Sequence, residues 1–90
     1  MQNIEIYTTQ FCHYCHAAKA LLSRKGVVFI EIDLGRDWER CDEMIRRSNG
    51  RQTVPQIFIG SVHVGGSDEL HALEDAGELD KLLADDGQIA

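Results

Sequence analysis

Apolar and polar residues alternate from Ile4 to Tyr7, the period of a strand with one face inward, and the "TTQF" that follows predicts a loop. From His13 to Lys25 the period lengthens. Ala17, Ala18, Leu21 and Leu22 fall on one helical face, Arg24 and Lys25 occupy the last turn, and Gly26 stops the helix. Val27 to Asp33 is rich in β-branched and aromatic residues and predicts a second strand, parallel to the first in a right-handed βαβ unit.

Asp37 to Ser48 returns to the helical period, with Trp38, Cys41, Met44 and Ile45 inward. The pairs Asp42 with Arg46 and Glu43 with Arg47 face outward, and "SNG" ends the helix. Gln56–Ile59 and Val62–Val64 are short strands joined by Gly60-Ser61, a two-residue hairpin link. Gly65-Gly66 breaks the second of these. Ser67-Asp68-Glu69 then opens a helix, with the Ser67 hydroxyl as N-cap, two acids at the positive dipole end, and Leu70, Leu73 and Ala76 inward. After Gly77, "ELDKLLA" gives a last short helix, and residues 85–90 are expected to form a flexible tail. The order β-α-β-α-β-β-α predicts an α/β domain over residues 1–84, a four-stranded mixed sheet flanked by helices. In such sheets the functional crevice lies outside the carboxyl ends of the parallel strands, where "FCHYCH" falls.

Ninety residues leave room for one domain only, and 43% hydrophobic with 27% charged residues is the balance of a folded globular chain. A net charge of -6 works against binding nucleic acid phosphates. The N-terminus has no basic leader before an apolar segment, and no stretch reaches the roughly 18 apolar residues of a spanning helix. The expectation is a cytoplasmic protein with no membrane partner. In a reducing compartment, three cysteines point to catalysis or metal binding rather than to a disulfide scaffold.

Cys12-His13-Tyr14-Cys15-His16 fits three patterns: a redox dithiol, half of a zinc site, and the C-x-x-C-H run that attaches haem c. A fourth reading is two small buried hydrophobes one helical turn apart. Redox chemistry is favoured because the pair ends a strand and begins a helix. There, unpaired N–H groups and the helix dipole favour a thiolate, although a free thiol ionises only at about pH 8.5. Cys12, further out, is the expected nucleophile. Cys15, one turn inside, is placed to resolve a mixed disulfide. Phe11 and Tyr14 offer an apolar rim to a thiol substrate. Zinc wants a second ligand pair, and Cys41, His63 and His71 would have to converge by chance to supply it. Haem c attachment belongs to exported chains and usually wants a distal ligand, for which Met44 is the only internal methionine. No haem is expected, and His16 reads as a solvated helix residue.

"CHYC", "TVPQIFI" and "GGSDEL", in that order and spacing, are the motifs by which the chain resembles the bacterial dithiol glutaredoxins of the thioredoxin-like superfamily, from Ile4 to Leu83. The resemblance implies a thioredoxin-like fold and a glutathione-dependent thiol-disulfide oxidoreductase. Its partners would be glutathione, as reductant, and glutathionylated or disulfide-containing proteins; a monomer is expected. It also implies a cis-proline at Pro55, with the backbone of Val54 pairing to the cysteine of glutathione. Gly66, Ser67 and Asp68 would hold its γ-glutamyl end, since a helix N-terminus with free N–H groups is a ready carboxylate site. Arg51 and Gln52 would take the glycine carboxylate, Thr53 and Pro55 would belong to the same glutathione site, and Tyr14 would pack its ring on the tripeptide. Taken alone, the same residues read as an ordinary loop, a helix cap and a half-exposed tyrosine.

Two positions depart from the usual pattern. His13 stands where proline is common, and Thr9 stands where a lysine often precedes the nucleophile. A protonated His13 would favour the Cys12 thiolate, an effect fading above about pH 6.5, or it is a surface histidine pointing away. Family members without that proline include some that bind a bridging [2Fe-2S] cluster through the nucleophilic cysteine, here Cys12, and glutathione. A cluster carrier or sensor is therefore the alternative function, and no other metal is expected. Cys41 reads as a half-buried small residue.

Overall fold

The computed structural model describes residues 3–84, so the tail expected over 85–90 lies outside the described residues. Strands β1 (Ile4–Thr8), β2 (Ile30–Asp33), β3 (Gln56–Ile59) and β4 (Val62–Gly65) form one sheet in the order β2-β1-β3-β4. β1 is parallel to β2 and antiparallel to β3, and β3 is antiparallel to β4. The helices are α1 (His13–Arg24), α2 (Cys41–Arg47), α3 (Ser67–Asp75) and α4 (Leu79–Ala84). The mixed sheet and flanking helices are those the sequence pattern predicts.

The pleat sends alternate side chains of each strand to opposite faces, and the two faces are packed differently. On one, Ile4, Ile6, Ile57 and Ile59 meet Ala18, Leu21 and Leu22 of α1, Leu70 of α3, and Leu79 and Leu83 of α4, all buried. On the other, Tyr7 and Phe58 pack with Ile32, Leu34 and Met44. A polar network joins this second face to α2. The Tyr7 hydroxyl donates to Glu43, Arg47 donates to that hydroxyl at 2.8 Å and to Glu5 at 2.8 Å, and Arg40 donates to Glu43 at 2.7 Å. Burying one large aliphatic side chain stabilises by about 1.5–3 kcal/mol. An exposed pair such as Arg40–Glu43 contributes less, because solvent and salt screen it. Apolar packing therefore holds the fold, and the network orients α2 on the second face.

Five local expectations are corrected. β2 begins at Ile30, opposite Glu5, and not at Val27; Val28 is 85% exposed, while Val27 and Phe29 pack on the core from a loop. The helix expected over Asp37–Ser48 opens as a 3-10 turn, Trp38–Arg40, whose tighter winding leaves Trp38 73% exposed rather than inward. Glu43 and Arg47 do not pair with each other, because Tyr7 and Glu5 in the sheet offer them better-shielded partners. Ser67 is not the cap of α3: Gly66 holds that position, and its N–H donates to the Glu69 carboxylate at 2.7 Å. Ala76 is exposed: α3 ends at Asp75, Ala76 is its C-cap, and the chain turns at Gly77 (φ 75°).

Candidate active site

β1 delivers the chain to the carboxyl edge of the sheet, where the Cys12 N–H donates to Thr9 O at 3.4 Å and closes a turn. Cys12 then takes an extended conformation (φ -90°, ψ 113°) as the N-cap of α1, just before the first turn in which the sequence pattern puts it. A side chain at that position faces the free N–H groups of the first turn. The Cys15 N–H donates to Cys12 Sγ at 3.1 Å, and Sγ lies 3.7 Å from Val54 O, to which the thiol donates.

Cys15 is fully buried beneath it. Burial, and next the hydrogen bond with Cys12, push its thiol up to about 12, against the opposing pull of the Thr9 backbone and Lys19. Two thiols three residues apart thus differ in kind: Cys12 is half-buried at the surface, and Cys15 is sealed and protonated at neutral pH.

The opposite wall comes from the segment before β3. Asn49 (φ 60°) and Gly50 (φ 94°) adopt left-handed backbone that reverses the chain after α2, so residues 51–55 return along the sheet edge. The Val54–Pro55 peptide is cis. A third wall is the junction of β4 with α3. At Gly65 the backbone takes a φ of 112°, a conformation that favours glycine, and the Glu69 carboxylate and the Arg51 guanidinium close in on the space a Cβ would fill.

Between these walls runs an open groove lined by Tyr14, Arg51, Thr53, Val54, Pro55, Gly66, Ser67, Asp68 and Glu69. Eight of the nine residues expected to meet a tripeptide line it. Gln52 does not; it is exposed outside the groove. Glu69 was not expected there. Its signal was its place three residues after Gly66, the position from which an acid reaches back to a cap N–H. That N–H, ahead of the nearby Arg51 charge, holds its carboxyl below the usual range, and Arg51 lies 3.7 Å from it. His13 is exposed, with its ring edge-on to Tyr14 at 5.9 Å. His16, also exposed, has Nε2 3.2 Å from Gln10 O. Cys41 is half-buried and packs against the core beneath α2. Among the described residues, no three His, Cys, Asp or Glu side chains are grouped to hold a metal ion, and no helix is long and apolar enough to cross a membrane.

The family model for glutaredoxin matches residues 4–64, which span the cysteine turn, the cis-proline and most of β4. The chain belongs to the glutaredoxin family. Glutaredoxin 3 of Escherichia coli K12 is 57% identical over 83 residues, which cover 92% of this chain and 99% of the relative. The solution structure of glutaredoxin from Brucella melitensis matches at a TM-score of 0.83 and 56% identity, covering 99% of this chain and 96% of its own. The crystal structure of a buckwheat glutaredoxin-glutathione complex matches at a TM-score of 0.85 and 28% identity, covering 99% and 83%. The fold is therefore thioredoxin-like, and this glutaredoxin is a glutathione-dependent thiol oxidoreductase; the cluster-carrier alternative is not favoured.

Proposed function

We propose that this glutaredoxin reduces protein-glutathione mixed disulfides through Cys12 alone, and protein disulfides through Cys12 and Cys15 together. The observation that carries this is Cys12 Sγ at the helix N-cap, 3.7 Å from the Val54 carbonyl at the groove's edge. The Cys12 thiolate attacks the glutathione sulfur of a mixed disulfide, the old S–S bond breaks, and the protein leaves as its thiolate. Glutathione thiolate then attacks the captured glutathione sulfur, frees Cys12 and departs as glutathione disulfide, having supplied the two electrons. With a protein disulfide, Cys12 opens it to a mixed disulfide, Cys15 gives up its proton and displaces the substrate as a dithiol, and the Cys12–Cys15 disulfide so formed is reduced by two glutathione molecules that leave as glutathione disulfide.

The groove supplies the address for the tripeptide. Val54 offers its backbone to the cysteine of glutathione as a short antiparallel pairing, and Arg51 faces the glycine carboxylate, a group its guanidinium fits well. The start of α3, at Gly66, Ser67 and Asp68, receives the γ-glutamyl carboxylate on its N–H groups, with the Asp68 carboxylate beside the ammonium. Tyr14, 61% exposed on the rim, lays its ring on the ligand. The buckwheat relative, solved in complex with glutathione, supports glutathione as the ligand.

The test couples glutathione, glutathione reductase and NADPH to a small glutathionylated disulfide. Glutathione-dependent NADPH consumption that saturates in the mixed disulfide is the expected result. Turnover that ignores glutathione would refute the proposal.

A further inference from the structure

Thr53 and Val54 form the edge that faces glutathione in the reading above, and among the described residues no backbone–backbone hydrogen bond ties either of them down. Side chains hold them instead: Val54 O accepts from the Cys12 thiol at 3.7 Å, and Thr53 is held by Gln56. Gln56 is fully buried, opposite Tyr7 in the β1–β3 ladder, and its amide nitrogen donates to Thr53 O at 3.0 Å and to Thr53 Oγ1 at 3.2 Å. Thr53 O can only accept, so the amide nitrogen must face it and Oε1 must face the other way. There Oε1 lies 2.7 Å from His63 Nε2.

An amide oxygen only accepts, so His63 carries its proton on Nε2 and donates. The imidazole is itself held in place: its ring stacks on Phe58, with centroids 4.8 Å apart and planes 25° apart. The Arg47 guanidinium lies 4.1 Å from the same Phe58 ring centroid. Burial, and then the Arg51 charge, keep the imidazole below its usual range despite the opposing pull of Glu69. A line of contacts therefore runs from the core beneath α2 to the exposed edge of the groove.

We propose that Gln56 and His63 are positioning residues for glutathione binding, with His63 orienting the Gln56 amide and the amide fixing Thr53 and Val54 in the conformation that meets the ligand. The proposal rests on the assignment of Val54 to glutathione. Neither side chain lines the groove. They act on ligand affinity and leave the sulfur chemistry to Cys12.

The test compares wild type, Gln56→Leu, His63→Leu and His63→Gln in steady-state turnover of a glutathionylated peptide and in backbone ¹⁵N relaxation of the free reduced proteins. Gln56→Leu should raise KM about tenfold with kcat changed less than about twofold, the pattern of lost ground-state binding. Thr53 and Val54 should loosen, their order parameters dropping from about 0.85 toward about 0.6. His63→Leu should raise KM about threefold, and His63→Gln, which keeps a donor, should recover most of that loss. Imidazole ¹⁵N shifts of the wild type should show the Nε2–H tautomer. Unchanged KM and order parameters in both leucine variants, or an Nδ1–H tautomer, would overturn the proposal. If Gln56→Leu fails to fold, the His63 pair decides. A wild type that turns over no glutathionylated peptide, together with loosened variants, would sink the glutathione assignment and leave the anchoring of Thr53 and Val54 standing.

Discussion

The cysteine turn and the groove beside it meet at Val54 but are assembled in opposite ways. The turn is local: residues 9–15 contain both thiols, the N-cap and the N–H that faces Cys12 Sγ. The groove is collected from three distant segments, with Tyr14 from α1, Arg51 and residues 53–55 ahead of β3, and residues 66–69 at the start of α3. A local site built around one sulfur fails all at once, whereas a binding surface shared among several side chains fails by degrees. Substitutions on the two sides should therefore differ in size and in kind.

The largest effect belongs to the turn. Cys12→Ser should cut turnover of every disulfide substrate by about a thousandfold or more, because no other group supplies the nucleophile. Coupled NADPH consumption reads this directly, and residual activity within tenfold of wild type would mean that Cys12 is not the attacking group. Next comes the contrast between the two thiols. With Cys15 raised to about 12, its thiolate grows about tenfold per pH unit from neutrality and stays a minority at about pH 10. Iodoacetamide at pH 7 should label Cys12 at least about a hundredfold faster than the sealed Cys15. Peptide mapping by mass spectrometry would show it, and equal labelling would erase the proposed asymmetry.

Effects in the groove are smaller. Arg51→Ala should raise KM for glutathionylated substrates about fivefold with kcat nearly unchanged, since its ion pair with the ligand is half-exposed and screened. An unchanged KM would remove Arg51 from the carboxylate subsite. The mildest change is Thr9→Lys, which restores a positive charge near the cysteine turn. It should tighten glutathione binding about twofold at low salt, less at high salt. Calorimetry at two ionic strengths checks this, and identical affinities would show that the missing charge is immaterial.

What could be read from sequence follows the same division. The period of Ile4–Tyr7, the period of α1 and the C-x-x-C spacing are short-range signals, and each marks its own structure. Pairings settled by tertiary neighbours are not so marked. Glu43 and Arg47 have the spacing of a helical ion pair, but Tyr7 and Glu5, some forty residues away, claim them. Trp38 has the period of an inward residue, and one 3-10 turn rotates it to solvent. In the groove, Glu69 was hidden because its cap partner is a glycine, which carries no side-chain signature. The role of Gln56 depends on a histidine seven residues away across a hairpin, with the partner atoms fixed only by the fold.

The central claim is that the exposed sulfur works alone on glutathionylated substrates and needs the buried one only for protein disulfides. Cys15→Ser, assayed side by side on a glutathionylated protein and on a protein with an intramolecular disulfide, tests it most directly. The account predicts that removal of glutathione survives within about threefold of wild type while reduction of the protein disulfide is lost. Loss of both activities, or retention of both, would contradict it.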